Sequence, residues 1–192
     1  MLLGFLVEDA GAAPLDAQVL TVIEDGEIRY RPPLAWQPRT APTEVDSWRG
    51  RLLRGEVHDE NAWTLGGVAG HAGLFGTAPA VGAFARLVLA TVDRPTRLGS
   101  PTTFARFVTR STVPGSSRAL GWDTMLPTSS CGTRMSARAI GHTGFTGTSL
   151  WIDPAADRYV VLLTNRVHPS REAKGFPPVR ARVHDAIADA LA

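Results

Sequence analysis

The sequence predicts a mixed α/β chain of the α+β type, an antiparallel sheet flanked by helices, and three observations predict it. Residues Thr148–Asp153 (with Leu150, Trp151 and Ile152) and Arg158–Asn165 (with the run Tyr159-Val160-Val161-Leu162-Leu163) are rich in β-formers. Between them Asp153-Pro154-Ala155-Ala156-Asp157 is turn chemistry of hairpin length, because proline fixes φ and aspartate bonds its own backbone. Apolar residues recur at helical spacing at Val81, Phe84, Leu87 and Val88, and again at Val179, Val183, Ile187 and Leu191.

Taken in order, residues 2–23 read as one or two helices, broken near Gly11, restarted at Pro14-Leu15-Asp16 and ended by Glu24-Asp25-Gly26. Residues 31–47 hold Pro32, Pro33, Pro38 and Pro42 and read as an irregular loop, since proline joins no ladder and continues no helix. Asp46 to Asn61 is strongly polar. The loop Gly66–Gly76 is glycine-rich but no phosphate cradle, for no Lys follows it and no β-rich run precedes it. Thr77 suits the N-cap of a helix over Ala78–Thr91, and Ser100-Pro101 that of a helix carrying Phe104, Phe107 and Val108. Residues 111–137 read as loop around a short strand at Ala119–Asp123.

Residues 139–165 then read as a three-stranded antiparallel meander, with His142-Thr143-Gly144 on its first strand. The run at 159–163 is too continuous for a half-wet strand, so helices should cover both of its faces. A last helix starts at Pro177-Pro178 and should pack on the sheet through Val179, Val183 and Ile187.

At 192 residues, 44% apolar and 20% charged, the composition is that of globular material, one domain or one and a fraction. The 20 basic and 18 acidic residues are interspersed without a basic stripe, which argues against a nucleic-acid partner. No apolar run approaches the roughly 18–20 residues of a membrane span. The start, MLLGFLVEDAGAA, has no basic leader, and Glu8-Asp9 interrupt its apolar run. It reads as a helix, not a signal peptide, and the chain as encoded is expected in the cytoplasm. The single cysteine, Cys131, forms no internal disulfide and reads as inert.

Chemistry is weighed at three places. His142-Thr143-Gly144 offers an imidazole, a hydroxyl donor and a backbone without Cβ, and the Phe145 N–H could face an oxyanion. His58, Asp59, Glu60 and His71 read as a solvated loop or hydrogen-bonded rim; their spacing does not suit a metal, and neither metal nor cofactor is expected. Gly147-Thr148-Ser149-Leu150-Trp151 fails as a GxSxG nucleophile elbow, so Ser149 reads as structural. His168 and His184 read as surface residues.

With these residues in view the chain resembles the serine β-lactamase and penicillin-binding-protein superfamily, in particular its class C-like members and esterases. The resemblance covers about residues 36–168. It is carried by APTEVDSWRGRLLRGEVHDENAWTLGGVAGHAGLFGTA, by ALGWDT and by GHTGFTGTSLWIDPAADRYVVLLTNRVHP. It implies an antiparallel sheet flanked by helices, with a cleft where Ser-x-x-Lys, Tyr-x-Asn (or Tyr-Ser-Asp) and Lys/His-Thr-Gly motifs meet. The third motif matches His142-Thr143-Gly144, which implies that His142 and Thr143 engage a substrate carboxylate and that the Phe145 N–H is half of an oxyanion hole. The loop Gly66–Gly76, with His58, Asp59, Glu60 and His71, is implied to lie at the rim of the same cleft.

The other two motifs are absent. Lys174 is the only lysine, with Arg171 three and Ser170 four residues before it, and Tyr30 and Tyr159 are followed by Arg31-Pro32 and Val160-Val161. The resemblance therefore implies one partial domain: a helical and loop lobe over about 1–137, the meander with its helix over 138–192, and no nucleophile-bearing amino-terminal part. Two readings stay open. One is the carboxy-terminal portion of a serine hydrolase acting on β-lactams, D-alanyl peptides or esters, inactive alone and partnered by the missing amino-terminal half. The other is a catalytically dead binding or scaffold module that keeps the carboxylate-recognition strand. Full-length relatives are implied to work outside the cytoplasm in some cases.

Overall fold

The chain opens with α1 (Leu2–Gly11) and α2 (Leu15–Ile23), seen in a computed structural model that describes residues 1–173 and 175–191. Ala12, in the left-handed region, ends α1, and the chain re-enters helix after Pro14. Gln18 holds the corner by donating to the Val7 and Ala13 carbonyls. Gly11 leaves room for that side chain: a Cβ there would sit 2.2 Å from Gln18 Oε1 and displace the end of the glutamine. The break expected near Gly11 and the restart at Pro14 are thus where the sequence puts them.

Two compact units follow from the packing, Met1–Val81 with Asn165–Ala173, and Gly82–Thr164 with 175–191. In the first unit β1 (Ile28–Tyr30) pairs antiparallel with β4 (Leu74–Gly76), and β2 (Val45–Asp46) with β3 (Arg51–Leu52). The short helix α3 (Glu60–Thr64) lies between β3 and β4 in sequence. Its core gathers Val57, Ala62 and Ala69, and the Tyr30 hydroxyl donates to the Ala69 carbonyl at 3.1 Å. Residues 31–47 are less irregular than their prolines suggest. A 3₁₀ turn spans Leu34–Arg39 with Pro38 inside it, because its bonds, Trp36 N–H to Pro33 O and Thr40 N–H to Gln37 O, do not use the missing Pro38 donor.

The helix α4 (Ala78–Asp93) begins at the end of the first unit and runs into the second, followed by α5 (Pro101–Val108). Their caps are the expected ones: Thr77 Oγ1 accepts from Ala80 N and Ser100 Oγ from Thr103 N. A four-stranded antiparallel sheet follows in the order β5 (Asp123–Thr124), β6 (Ile140–Thr143), β7 (Ser149–Asp153), β8 (Arg158–Leu162). The meander is therefore present, with a short fourth strand added at Asp123–Thr124 instead of the expected Ala119–Asp123. Both faces of the sheet are covered. Ile140, Ile152 and Tyr159 meet Ala85 and Val88 of α4 and Phe104 and Val108 of α5, while Trp151 and Val160 meet Cys131, Met135, Ala139 and Ile187.

Ile187 belongs to α6 (Pro177–Ala190), which packs on that second face. The helix lies there as expected, but its seating differs. The buried positions are Arg180, His184 and Ala188, while Val179, Val183 and Ile187 are half-buried and Leu191 is 68% exposed. His184 is a correction: it is fully buried, not a surface residue. The cause is polar partners on the sheet, since Ser149 Oγ shares a hydrogen bond with His184 Nε2 (3.3 Å) and the Gly144 carbonyl accepts one from Arg180 (2.7 Å). Lys174 lies outside the described residues. Among the described residues no helix is long and apolar enough to cross a membrane.

Candidate functional site at the end of strand β6

The alternation of a β-strand sends successive backbone groups to opposite neighbours. Met125 N–H donates to Ala139 O on the β5 side, and Gly144 N–H to Thr148 O on the β7 side. The backbone groups of 139, 141 and 143 therefore face β5, and those of 140, 142 and 144 face β7. All four residues of β6 pair with β7, but β5 pairs only with Ile140 and Gly141. Thr143 thus presents its N–H and C=O along an edge that β5 does not reach.

The side chains around that edge are cationic or polar. Arg118 Nη1 lies 3.0 Å from His142 Nε2, and His142 Nδ1 lies 2.9 Å from the Thr143 carbonyl. A guanidinium can only donate, so Nε2 accepts and Nδ1–H donates to Thr143 O, which fixes the imidazole tautomer. Gly144 needs to be glycine, but for an internal reason: a Cβ would sit 2.2 Å from Thr148 Oγ1. The turn after it is pinned by Gly147 N–H to Gly144 O (3.2 Å), by Arg180 Nη2 to Gly144 O, and by Thr164 Oγ1 to Gly147 O (2.7 Å). Phe145, at the tip, is 59% exposed.

The structure brings His142, Thr143, Gly144 and Phe145 together as one strand end, within the second unit. His58, Asp59, Glu60 and His71 lie in the first unit and fall into two groups, His58 and Glu60 linked through Glu44 and Arg171, and Asp59 with His71. Glu44 accepts from His58 (2.8 Å) and from both the backbone N–H and Nε of Arg171 (2.7 Å each), and Arg171 Nη2 reaches Glu60 (2.8 Å). Burial pushes the Glu44 carboxyl up, but the hydrogen bonds from Arg171 and His58 outweigh it and hold its pKa below the ordinary value. Asp59 caps α3 through Ala62 N–H (2.8 Å) and accepts from His71 Nε2 (3.0 Å). Burial raises its pKa as well, and these two bonds again win and lower it. Both groups are hydrogen-bonded structure.

Two shallow hollows, of about 320 and 400 Å³, are lined by residues such as Arg110, Thr124 and Arg138, and by Arg31, Trp63 and Phe75. Neither is lined by any of the eight residues just named. Cys131 is buried, and burial pushes its thiol up to about 12, so it is no nucleophile at neutral pH. Sequence reasoning missed Arg118 and Arg180. Among 19 arginines (20 basic residues less Lys174) nothing in the local pattern marks these two.

An antiparallel sheet covered by helices on both faces is common to many folds, and comparison with known proteins narrows the choice. The beta-lactamase family model matches residues 1–184. The chain belongs to the beta-lactamase family. It is 34% identical over 198 aligned positions to a Salmonella agona protein named "Putative D-alanyl-D-alanine carboxypeptidase", covering 88% of this chain and 44% of that one. Among solved structures, a beta-lactamase from Mycobacterium bovis superposes with a TM-score of 0.60 at 19% identity, covering 96% of this chain and 59% of its own. A penicillin-binding protein homolog from Caulobacter crescentus does so with 0.61 at 15%, covering 96% and 55%. These structural likenesses bear on the fold. The chain spans about half the length of the proteins it matches.

Proposed function

We propose that this chain supplies the carboxylate- and oxyanion-recognition strand of a serine acyl-transfer enzyme, while the nucleophile and its base come from sequence this chain does not contain. The observation that carries the reading is the end of β6. Thr143 offers its backbone along an edge beyond β5, flanked by the Arg118 guanidinium and the His142 imidazole. Arg118 has five N–H donors and spends one on His142, so a carboxylate set against this edge meets a fixed positive charge, a Thr hydroxyl and main-chain donors. The name of the Salmonella relative supports a D-alanyl peptide as the substrate, with its terminal carboxylate as the group recognised.

Such donors stabilise charge that develops only after attack on the acyl carbon. Ser149 is no substitute nucleophile: it is buried, and its partner His184 is held by burial at a pKa of about 4. A base that weak takes little proton density from a serine at neutral pH. The chain alone is therefore a binder, not a catalyst.

The test incubates the purified chain with a fluorescent penicillin and a fluorophosphonate and reads intact mass, alone and mixed with the portion of the Salmonella relative that this chain does not match. No adduct on this chain, and acylation appearing only in the mixture, is expected. A stoichiometric adduct on any serine of this chain would overturn the reading. So would N-acetyl-D-alanine leaving the amide resonances of 142–145 unmoved in a titration of the labelled chain.

A further inference from the structure

The turn that follows β6 is held by a charge from outside the sheet. Arg180, near the start of α6, is 8% exposed, and its guanidinium lies 5.1 Å from the centroid of the Phe176 ring. Its Nη2 donates to the Gly144 carbonyl at 2.7 Å. The same carbonyl accepts from Gly147 N–H at 3.2 Å. That carbonyl and the Phe145 N–H belong to one peptide group. The only cis peptide among the described residues is His168–Pro169, so this one is trans and planar. Its N–H therefore points opposite to its C=O, away from the guanidinium.

We propose that Arg180 is a positioning residue for the Phe145 amide, aiming and polarising it as an oxyanion donor through the carbonyl of the same peptide group; the inference rests on the acyl-transfer reading above. A hydrogen bond accepted at C=O draws electron density from the N–H of that amide and strengthens it as a donor. A cationic donor does so more than a neutral one. The carbonyl is pinned from two directions, so the amide is oriented before a ligand arrives, and preorganised donors need no reorganisation as charge develops. Gly144 N–H also donates to Thr148 O at 2.8 Å, which ties the same residue to the start of β7. Arg180 needs no contact with substrate to act. Its charge also bears on its own helix, where it works with burial to depress the His184 pKa.

The experiment uses the full 192-residue chain, ¹⁵N-labelled, with Arg180→Gln and Arg180→Lys beside it, titrated with N-acetyl-D-alanine. In Arg180→Gln the Phe145 amide proton is expected to move upfield before any ligand is added, and the dissociation constant for the probe to rise about tenfold, the scale of one charge-assisted hydrogen bond. Arg180→Lys, which keeps a charge without the planar fork, should fall between the two. Amides of β7 and β8 should stay in place. An unchanged Phe145 resonance and an unchanged dissociation constant in Arg180→Gln, with those sheet amides intact, would overturn the proposal. If Arg180→Gln fails to fold, Arg180→Lys decides: a Phe145 resonance identical to wild type rejects positioning, and a shifted one upholds it. Should the wild type ignore the probe while its Phe145 resonance still depends on Arg180, the substrate reading falls and the positioning contact stands.

Discussion

Two polar clusters in this molecule use the same kinds of side chain to opposite ends. In the first unit Arg171 and His58 meet carboxylates, Glu44 and Glu60, in a knot where Glu44 and His58 are buried and Arg171 and Glu60 partly exposed. At the end of β6 in the second unit Arg118 and Arg180 meet neutral acceptors, the His142 ring nitrogen and the Gly144 carbonyl. The first arrangement is stability, since the Arg171 guanidinium is answered by two carboxylates. In the second, Arg118 gives one of its five N–H donors to His142, and the proposed anion recognition rests on the others. A count of polar residues in the sequence does not separate them. The identity of each partner does.

Breaking the knot should have the largest effect. Glu44→Ala removes the acceptor that both Arg171 and His58 use; Arg171 keeps Glu60, but the buried His58 loses the carboxylate it pairs with. Loss of one partner from a buried pair costs about 3–5 kcal/mol, to be read as a fall in unfolding free energy from urea titration. A loss under about 1 kcal/mol, the size of an exposed ion pair, would show that water replaces the carboxylate and that the knot is not the structural half of the comparison.

Acid should separate the two units next. Glu44, Asp46, Asp59 and Glu60 all have lowered pKa values in the first unit. Their contribution is present above the unfolded carboxylate range and is lost as pH falls through the lowered folded values. His184 also has a depressed pKa, about 4 against an ordinary 6.5, because burial disfavours its charged form. Above 6.5 it is neutral in both states and its burial is uncontested. Below that the unfolded chain takes up the proton first, so stability falls by about 3 kcal/mol between pH 6.5 and 4. As pH drops, the second unit should therefore weaken before the first. Hydrogen exchange read at β7 against β3 between pH 7 and 4.5 checks this, and His184→Gln should flatten the second unit's slope. Equal slopes in wild type and variant would mean that His184 carries none of it.

Much of the fold is legible in the sequence where patterns are long. The meander shows in its β-rich runs and in the Asp153–Asp157 turn, and α4 and α5 in their apolar spacing and caps. The pairs β1–β4 and β2–β3 are not legible. Strands of two or three residues have no period, and the β1–β4 partners lie 44–48 positions apart, as Tyr30 with Leu74 shows. The buried face of α6 is not legible either, for a chemical reason. Periodicity scores Val179, Val183 and Ile187, but Arg180 and His184 go inward because Gly144 O and Ser149 Oγ await them. The motif at 142–144 was readable as chemistry, whereas its supports, Arg118 and Arg180, depend on contacts 24 and 36 residues away in sequence. The glycine of that motif also serves a neighbour, Thr148, as much as any ligand.

The smallest expected change in stability is the one that tests the other half of the comparison. His142 is exposed, and its bonds run to Arg118 and to the Thr143 carbonyl next to it. Substituting it with alanine leaves no buried group without a partner, so unfolding free energy should stay within about 0.5 kcal/mol of wild type. Binding should respond far more. Without the imidazole the Thr143 carbonyl loses its donor and Arg118 its anchor, so the cation beside the strand edge becomes mobile and a fixed charge becomes a diffuse one. Loss of one charge-assisted contact is worth roughly tenfold in affinity, measured as the dissociation constant of N-acetyl-D-alanine by titration of the labelled chain. If His142→Ala instead destabilises the sheet by as much as Glu44→Ala does the knot, the end of β6 is structural, and the contrast between the two clusters fails at that residue.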